Sequence, residues 1–167
     1  MKKIIILLIA CIQLNTAYAD KLLIPMDATQ KNHLKAYGIS YYVLGQEKEV
    51  EWLLNYKGGS FLMDDYENIE RQCLLRGVSF TTMSEAQADR IKDELANPAV
   101  NADVVKLLKV PKIAVYSPKT AQPWDDAVTM VLTYAEIPYD VVFDDEVLDE
   151  VTITVPERSV AVAPASV

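Results

Sequence analysis

The pattern of hydrophobic and polar positions divides the chain into short strand-like runs and longer helix-like stripes. Residues 38–63 predict a β-hairpin, because "GISYYVL" and "EVEWLL" consist mainly of aromatic and aliphatic strand formers and the polar "GQEKE" between them is typical of a turn. The apolar run "SFLM" is consistent with a buried strand. In "DDYENIERQCLLRG", acids in the first turn, an apolar stripe and a final glycine predict a helix.

The next elements repeat this alternation of strand and helix. The run "VSFTTM" alternates in its side chains and predicts a strand. Ser84 and Gln87 have the spacing of a capping box, in which two side chains satisfy backbone amides at the start of a helix. The helix that follows ends at residues 97–98, "NP", and its apolar stripe consists of Ala88, Ile91 and Leu95. Residues 97–111 are interpreted as a connection.

Residues 112–148, "KIAVYSPKTAQPWDDAVTMVLTYAEIPYDVVFDDEVL", predict a strand, a loop, a helix and a second strand. The helix begins after Pro123 and ends before Pro138. Its predicted inward-facing residues are Val128, Val131, Leu132 and Ala135. Strands that alternate with helices of this length are typically parallel and joined by right-handed crossovers. The pattern therefore predicts an α/β fold, with a short parallel sheet and flanking helices preceded by a β-hairpin.

The start of the chain predicts export. The basic "MKK" precedes the apolar run "IIILLIACIQL", and "AYA" has the form of a small-x-small cleavage signal, which places the cut between Ala19 and Asp20. The apolar run is too short to span a bilayer, which needs about 20 residues. No membrane association is therefore predicted once the signal is removed. The alternative is a lipoprotein anchored at Cys11, because "LIAC" resembles the sequence before a lipidated cysteine.

Charge and cysteine content limit the classes of partner. The chain has 24 acidic and 16 basic residues, for a net charge of −8, and removal of the signal takes away Lys2 and Lys3. Nucleic acid is therefore not a predicted partner, because binding it needs a basic surface. Cys11 lies in the signal, so Cys73 is the one remaining thiol and an intramolecular disulfide cannot form.

The segments "PKIAVYSPK" and "QPWDDAVTMVLTYAEIPYDVVFDDEVL" resemble the opening βαβ unit of class I glutamine-amidotransferase-like domains, which have a flavodoxin-like sheet. Together with "VEWLLNYKGGSFL", they resemble a family of exported bacterial proteins often labelled asparagine synthetase B. The resemblance extends from about Lys21 to Leu148. It implies a flavodoxin-like fold that is incomplete in this chain, because a third parallel strand and further helices should follow Leu148.

The resulting division of the chain has four parts. Residues 1–19 are the signal peptide, 20–110 contain the hairpin and the first strand-helix half, and 111–150 form the amidotransferase-like βαβ unit. Residues 151–167 form an atypical tail, in which "VTITV" alternates like an edge strand and "PERSVAVAPASV" lacks helical periodicity. A truncated sheet would leave a strand edge without a neighbour, so self-association through that exposed edge is expected.

No catalytic residue is assigned from the sequence. Cys73 lies within a predicted helix without the flanking glycines of an amidotransferase elbow, so we interpret it as a core residue. His33 is surrounded by polar residues and is predicted to be exposed. One histidine and one cysteine cannot form a zinc site, and no metal or other cofactor is predicted. Gly58-Gly59 is interpreted as a turn rather than an anion cradle.

The acidic residues near the end of the second βαβ unit are interpreted as a solvated strand end, because they lack the glycine of a calcium loop. These residues are Asp144, Asp145, Glu146, Asp149 and Glu150.

The loop "SPKTAQPW" is the one candidate ligand site. In open α/β sheets, ligands bind beyond the carboxyl ends of the strands, where helices begin. The candidate ligand-binding residues in this position are Ser117, Lys119, Thr120 and Trp124. Asp125 and Asp126 would repel an anion there, so the loop is either a small-molecule contact or a structural corner.

Two functional hypotheses follow. The first is an exported, non-catalytic α/β module, a fragment of a larger protein, that binds a small molecule or docks against a partner domain. The alternative, implied by the resemblance, is part of an amidotransferase-like or hydrolase enzyme whose catalytic residues lie outside this chain.

Overall fold

A computed structural model of the protein describes residues 20–117 and 127–143, which form strands and helices. The strands are β1 (Lys21–Ile24), β2 (Val50–Leu54), β3 (Ser60–Asp64), β4 (Thr81–Met83), β5 (Asp103–Leu107), β6 (Ala114–Tyr116) and β7 (Asp140–Val142). The helices are α1 (His33–Leu44), α2 (Glu67–Arg76), α3 (Glu85–Leu95) and α4 (Ala127–Ala135). The predicted signal and tail lie outside the described residues.

The first five strands form one sheet, in the order β4-β1-β3-β2-β5. All four neighbouring pairs are antiparallel, with Leu23 opposite Leu62 in the β1–β3 pair and Trp52 opposite Phe61 in the β2–β3 pair. Helix α1 joins β1 to β2, and helix α2 joins β3 to β4. In both cases one antiparallel strand lies between the two joined strands, which is the split βαβ connectivity of ferredoxin-like domains.

The α/β class is therefore confirmed, but the predicted parallel, flavodoxin-like arrangement is wrong for this sheet. The physical reason is that each helix leads the chain to a strand two positions away in the sheet, not to the neighbouring position. A strand from elsewhere in the sequence then fills the gap and pairs antiparallel with both neighbours. Strands and helices also follow one another along the sequence in a parallel flavodoxin-like sheet, so this pattern does not distinguish the two arrangements.

Helix α1 corrects the predicted first strand of the hairpin. "GISYYVL" forms its second half, and the observed hairpin joins β2 to β3, with Val50 opposite Met63. The helix begins at Asn32, whose side-chain Oδ1 accepts a hydrogen bond from the Lys35 backbone amide at 3.2 Å. It packs against the sheet on one side and against α4 on another, so successive residues are apolar and the helical periodicity is hidden.

The next two predicted helices are confirmed, with their ends. Helix α2 ends at Gly77, which adopts a left-handed backbone with φ of +66°. The capping box of α3 is present, since the Ser84 backbone amide donates to Gln87 Oε1 at 3.0 Å. In α3, Ala88 and Leu95 are buried, as the apolar stripe predicts.

The central strands β1 and β3 of the five-stranded sheet are buried on both faces. Along β1, Leu22 and Ile24 point to the face that α1 and α2 cover, and Leu23 points to the face that α3 covers. Burial on both faces explains why the central strands are continuous apolar runs rather than alternating ones. Strand β5 was not predicted, because "DVVKL" lies in the segment interpreted as a connection.

Strands β6 and β7 form a second, two-stranded sheet. They are parallel, with Val115 opposite Val141, and α4 connects them, so the predicted βαβ arrangement is confirmed here. The predicted inward face of α4 is partly wrong. Ala135 is buried and Leu132 is half-buried, but Val128 and Val131 are exposed. Across the described residues, no helix combines the length and apolar character needed to cross a membrane.

Candidate functional site

The predicted ligand loop is described only at its first residue. The Ser117 backbone amide donates to the Val142 carbonyl oxygen at 2.9 Å, so Ser117 extends the β6–β7 ladder. Lys119, Thr120 and Trp124 lie outside the described residues, as does the acidic cluster from Asp144 to Glu150. Whether this loop contacts a small molecule therefore remains a prediction.

Cys73 is a core residue, as the sequence predicts. It lies on the inner face of α2, is fully buried, and belongs to the core between α1, α2 and the sheet. Burial raises the pKa of its thiol to about 12; the nearby charge of Arg76 opposes this shift, and those of Glu70 and Asp65 add to it. Because the thiolate is the reactive form, Cys73 has neither the access nor the ionisation of a nucleophile.

His33 is exposed at the first position of α1 and has a structural partner. Its Nε2 atom lies 3.2 Å from the Met26 carbonyl oxygen and 3.1 Å from the Asp27 carbonyl oxygen. Both partners are acceptors, so Nε2 carries the proton and donates to them. The prediction of exposure is confirmed, and the contact joins the start of α1 to the end of β1.

The turn at Gly58-Gly59 is packed against the segment after β1. Both glycines have left-handed φ angles, of +80° and +93°. A Cβ atom on Gly58 would overlap the Met26 carbonyl, and the Met26 backbone amide donates to the Lys57 carbonyl oxygen at 2.9 Å. Glycine is required here by a close backbone contact, which confirms a turn.

Gln30 is a buried polar residue that the sequence analysis missed. Its Nε2 donates to the carbonyl oxygens of Pro25 and Ser79, at 2.8 and 3.1 Å. Its Oε1 accepts from the backbone amides of Asn32 and Ser79, at 3.2 and 2.8 Å. Gln30 therefore holds the start of α1 against the segment before β4. No local signal separates it from the exposed polar residues around it in "MDATQKNH".

Two carboxyl groups lie close together at the start of α2. Burial raises the pKa of Asp65, and the nearby negative charge of Glu70 raises it further. A metal site needs more ligands than this pair supplies. Among the described residues, no group of three or more histidine, cysteine or acidic side chains has the arrangement of a metal site.

Helix α4 presents an apolar surface outward. We name as the outer stripe Ala127, Met130, Val131 and Tyr134, which follow the i, i+3, i+4, i+7 spacing of one helix face. All four residues are exposed, with relative exposures of 68% for Met130, 38% for Val131 and 50% for Tyr134. The nine residues of α4 include no charged side chain. A surface helix usually has a polar outer face, so α4 is unusual in being apolar on both sides.

A cluster of charged residues fixes the C-terminal end of α4. We name as the Glu136 clamp the residues Lys35, Arg76 and Glu136. The Glu136 carboxylate lies 2.6 Å from Lys35 Nζ and 2.5 Å from Arg76 Nη2. The hydrogen bond from Lys35, and then that from Arg76, lowers the pKa of Glu136. These contacts join the end of α4 to α1 and α2.

Two further contacts support the packing of α4 on α1. Asn32 Nδ2 donates to the Tyr134 hydroxyl at 2.9 Å, and the Lys35 ammonium lies 4.9 Å from the centre of the Tyr134 ring. A Cβ atom on Gly38 would overlap the Ala135 carbonyl oxygen, so glycine allows the close approach of the two helices. The outer stripe is therefore held at a defined position.

No family model and no curated protein sequence matches the chain, and no solved structure matches its fold. The resemblance to the exported bacterial family stays a prediction from the sequence.

Proposed function

We propose that this chain is an exported, non-catalytic α/β module that binds a protein partner through the outer stripe of α4. The exposed apolar spacing on this helix is the observation that carries the proposal. Contiguous exposed apolar surface on a soluble domain commonly marks an interaction site, and an amphipathic face with this spacing is how helices dock into grooves.

The energy available from the outer stripe indicates a weak contact. Full burial of a valine, methionine or similar side chain contributes about 1.5–3 kcal/mol. Met130, Val131 and Tyr134 are 68%, 38% and 50% exposed, so covering them would contribute roughly 2–5 kcal/mol. Association costs about 4–15 kcal/mol in lost freedom of motion. A partner must therefore add contacts beyond the stripe, or bind transiently.

The non-catalytic part of the proposal is supported by the surroundings of the cysteine and the histidine among the described residues. Cys73 is buried with a raised pKa, and the Nε2 atom of His33 donates to two backbone carbonyls. Both have structural roles. The export part is supported by the order of basic, apolar and small residues before Asp20. N-terminal sequencing of the exported protein should find Asp20, or a blocked, lipidated Cys11.

Binding of an apolar dye such as ANS tests the surface without a known partner. The double variant Met130→Gln, Val131→Gln should bind less dye than the wild type, because it removes the centre of the outer stripe. The matched control is Leu75→Gln on α2, where Leu75 is 74% exposed beside Leu74 at 70%; it should bind nearly as much dye as the wild type.

Equal dye binding by the double variant and the wild type would refute a docking surface on α4. Glutaminase activity that the wild type has and Cys73→Ala lacks would refute the non-catalytic proposal. Circular dichroism of each variant confirms that it is folded before the comparison is made.

A further inference from the structure

We infer that the fold sets the order of maturation: the signal is cut from this chain before β1 enters the sheet, and folding of β1 closes the cleavage site. This inference rests on the proposed function, because it takes export and a cut between Ala19 and Asp20 from it. It depends on where that bond lies relative to β1 and on the contacts of the residues that follow it.

The predicted cleavage site directly precedes a central strand of the sheet. Asp20 is the first residue after the cut, and β1 begins at the next residue, Lys21. Strand β1 lies between β4 and β3, so it has a hydrogen-bonded neighbour on each side. Leu22 and Leu23 are 0% and 1% exposed. The residues on the carboxyl side of the cut therefore belong to the interior of the sheet, and no linker separates them from the bond.

Asp20 is itself held in the fold, although it is exposed. Its backbone amide donates to the Met83 carbonyl oxygen on β4 at 3.0 Å, and its carbonyl oxygen accepts from the Asp65 backbone amide at 3.0 Å. The Glu85 backbone amide donates to Asp20 Oδ2 at 3.5 Å. One residue thus joins β4, the end of β3 and the first turn of α3.

The nitrogen of the bond to be cut is one of these held atoms. In hydrolysis, the hydroxyl of a water molecule adds to the carbonyl carbon of Ala19, and the bond from that carbon to the Asp20 nitrogen breaks. The proton of the water goes to the nitrogen, which leaves as an amine. In the folded chain this nitrogen is fixed as the donor to the Met83 carbonyl oxygen, so the sheet opposes its departure.

Lys21 is a second anchor directly after the cut. Its Nζ atom lies 2.7 Å from Asp64 Oδ1 and 3.5 Å from Glu85 Oε2, and its side chain is only 16% exposed. Proteolysis occurs mainly in exposed segments whose backbone is not hydrogen-bonded. An endopeptidase therefore needs Asp20 and Lys21 to leave the sheet before it can bind the bond between Ala19 and Asp20.

Removing β1 from the sheet amounts to unfolding the domain. The strand contributes Leu22 and Ile24 to the core beneath α1 and α2, and Leu23 to the core beneath α3. Cleavage of a transiently open chain follows the population of the open form, and a domain of ordinary stability is open for less than about a thousandth of the time. Folding should therefore slow the cut by at least about a hundredfold.

Cleavage of the 167-residue precursor by a purified bacterial signal peptidase tests this order. Precursor diluted from urea directly into the peptidase should be cut before Asp20, whereas precursor that folds first should be cut at least about a hundredfold more slowly. Equal rates would overturn the inference and leave export intact. A precursor whose β1 amides gain protection from hydrogen exchange only after the signal is removed also supports the order, because such a chain folds only after the cut.

Two variants separate closure by β1 from other causes of protection. A flexible glycine-serine linker inserted between Ala19 and Asp20 moves the bond away from the sheet, so its folded precursor should be cut nearly as fast as its unfolded one. Leu62→Ala removes a fully buried β3 side chain without changing the cleavage site, and it should speed the cut of the folded precursor by populating the open form. A linker variant that resists the peptidase only when folded would overturn the inference.

The outcomes separate this inference from the proposed export. If the peptidase cuts neither the unfolded precursor nor the linker variant after Ala19, the proposed cleavage fails and the inference fails with it. If the exported protein begins at a lipidated Cys11, nine residues separate the cut from Asp20, so the coupling to β1 is overturned while export stands. Resistance of the folded precursor, together with cleavage of its linker variant, supports the order of maturation.

Discussion

Replacing Glu136 tests what holds α4 against the rest of the chain. Glu136 follows the last residue of α4 and has a left-handed φ of +61°. The Ile137 backbone amide donates to the Leu132 carbonyl oxygen at 2.9 Å, and the Glu136 amide donates to the Thr133 carbonyl oxygen at 3.1 Å. This is a Schellman ending, in which glycine is the usual residue at the position of Glu136.

Helix α2 has the same ending with glycine. Gly77 has φ of +66°, and the Val78 amide donates to the Cys73 carbonyl oxygen at 2.9 Å. The chain thus uses glycine at one Schellman ending and glutamate at the other. The difference is that the Glu136 side chain has two partners, Lys35 and Arg76, which offset the strain of its backbone.

Two opposing contributions set the size of the effect. A left-handed backbone costs about 1 kcal/mol for a residue with a side chain. The Glu136 side chain is 48% exposed, so each ion pair contributes only about 0.2–1 kcal/mol. Glu136→Gln keeps the strain and loses both ion pairs, so it should destabilise the docking of α4 by about 1 kcal/mol. Glu136→Gly loses the pairs but also the strain, so it should remain near the wild type.

Hydrogen exchange measured by NMR reports this docking residue by residue. In Glu136→Gln, the amides of residues 131–135 should exchange about fivefold faster, since 1.4 kcal/mol corresponds to a factor of ten. The amides of β3 should be unchanged, because they do not depend on the Glu136 clamp. The control Gly77→Ala measures the backbone cost alone, because nothing lies within 4 Å of the added Cβ atom.

The pH dependence has a defined sign. The pKa of Glu136 is lowered in the folded state, so its contribution is present above its ordinary value of 4.5 and is lost as pH falls through the lowered folded value. The stability difference between wild type and Glu136→Gln in urea should therefore narrow below pH 4.5. Identical exchange in the two proteins at pH 7, or a difference that stays constant into strong acid, would refute this account of the clamp.

Three further variants test the packing around this region. Gly38→Ala should lower the melting temperature, because its Cβ would overlap the Ala135 carbonyl, whereas the control Gly45→Ala should have little effect; an unchanged Gly38→Ala would contradict close packing of α1 on α4. Cys73→Ala should cost about 1 kcal/mol in urea unfolding, and the native thiol, with a pKa near 12, should react with iodoacetamide much more slowly than free cysteine. Gln30→Ala should cost at least about 2 kcal/mol, because it leaves buried backbone groups without partners; a cost near zero would show that water replaces the side chain.

Local signals located several elements correctly. These signals act within one turn of a helix, so they can be read from the sequence alone. They are the acids and final glycine of α2, the capping box of α3 and the proline after α4. The βαβ arrangement of β6, α4 and β7 followed from alternation at a typical crossover length. The burial of Cys73 followed from its place on an apolar helix stripe.

The candidate site was less predictable. The sequence predicts a ligand site in the loop after β6, of which only Ser117 is described, and it predicts that Val128 and Val131 lie on the inner face of α4. The spacing of apolar residues along a helix is the same whether their side chains face the core or a partner. Only the position of α4 over α1, fixed by Gly38 and the Glu136 clamp, shows which side is outward.

The acidic charge, the α/β class and most helix ends follow from the sequence alone, because each depends on composition or on residues within a few positions of one another. Tertiary structure decided the identity of α1, since packing on two sides makes its residues apolar without a helical period. It also decided the strand order, because a split βαβ and a parallel βαβ differ only in which distant strand fills the gap between the joined strands. Contacts between residues far apart in sequence leave no local signal, and these contacts selected the antiparallel sheet and exposed the outer stripe.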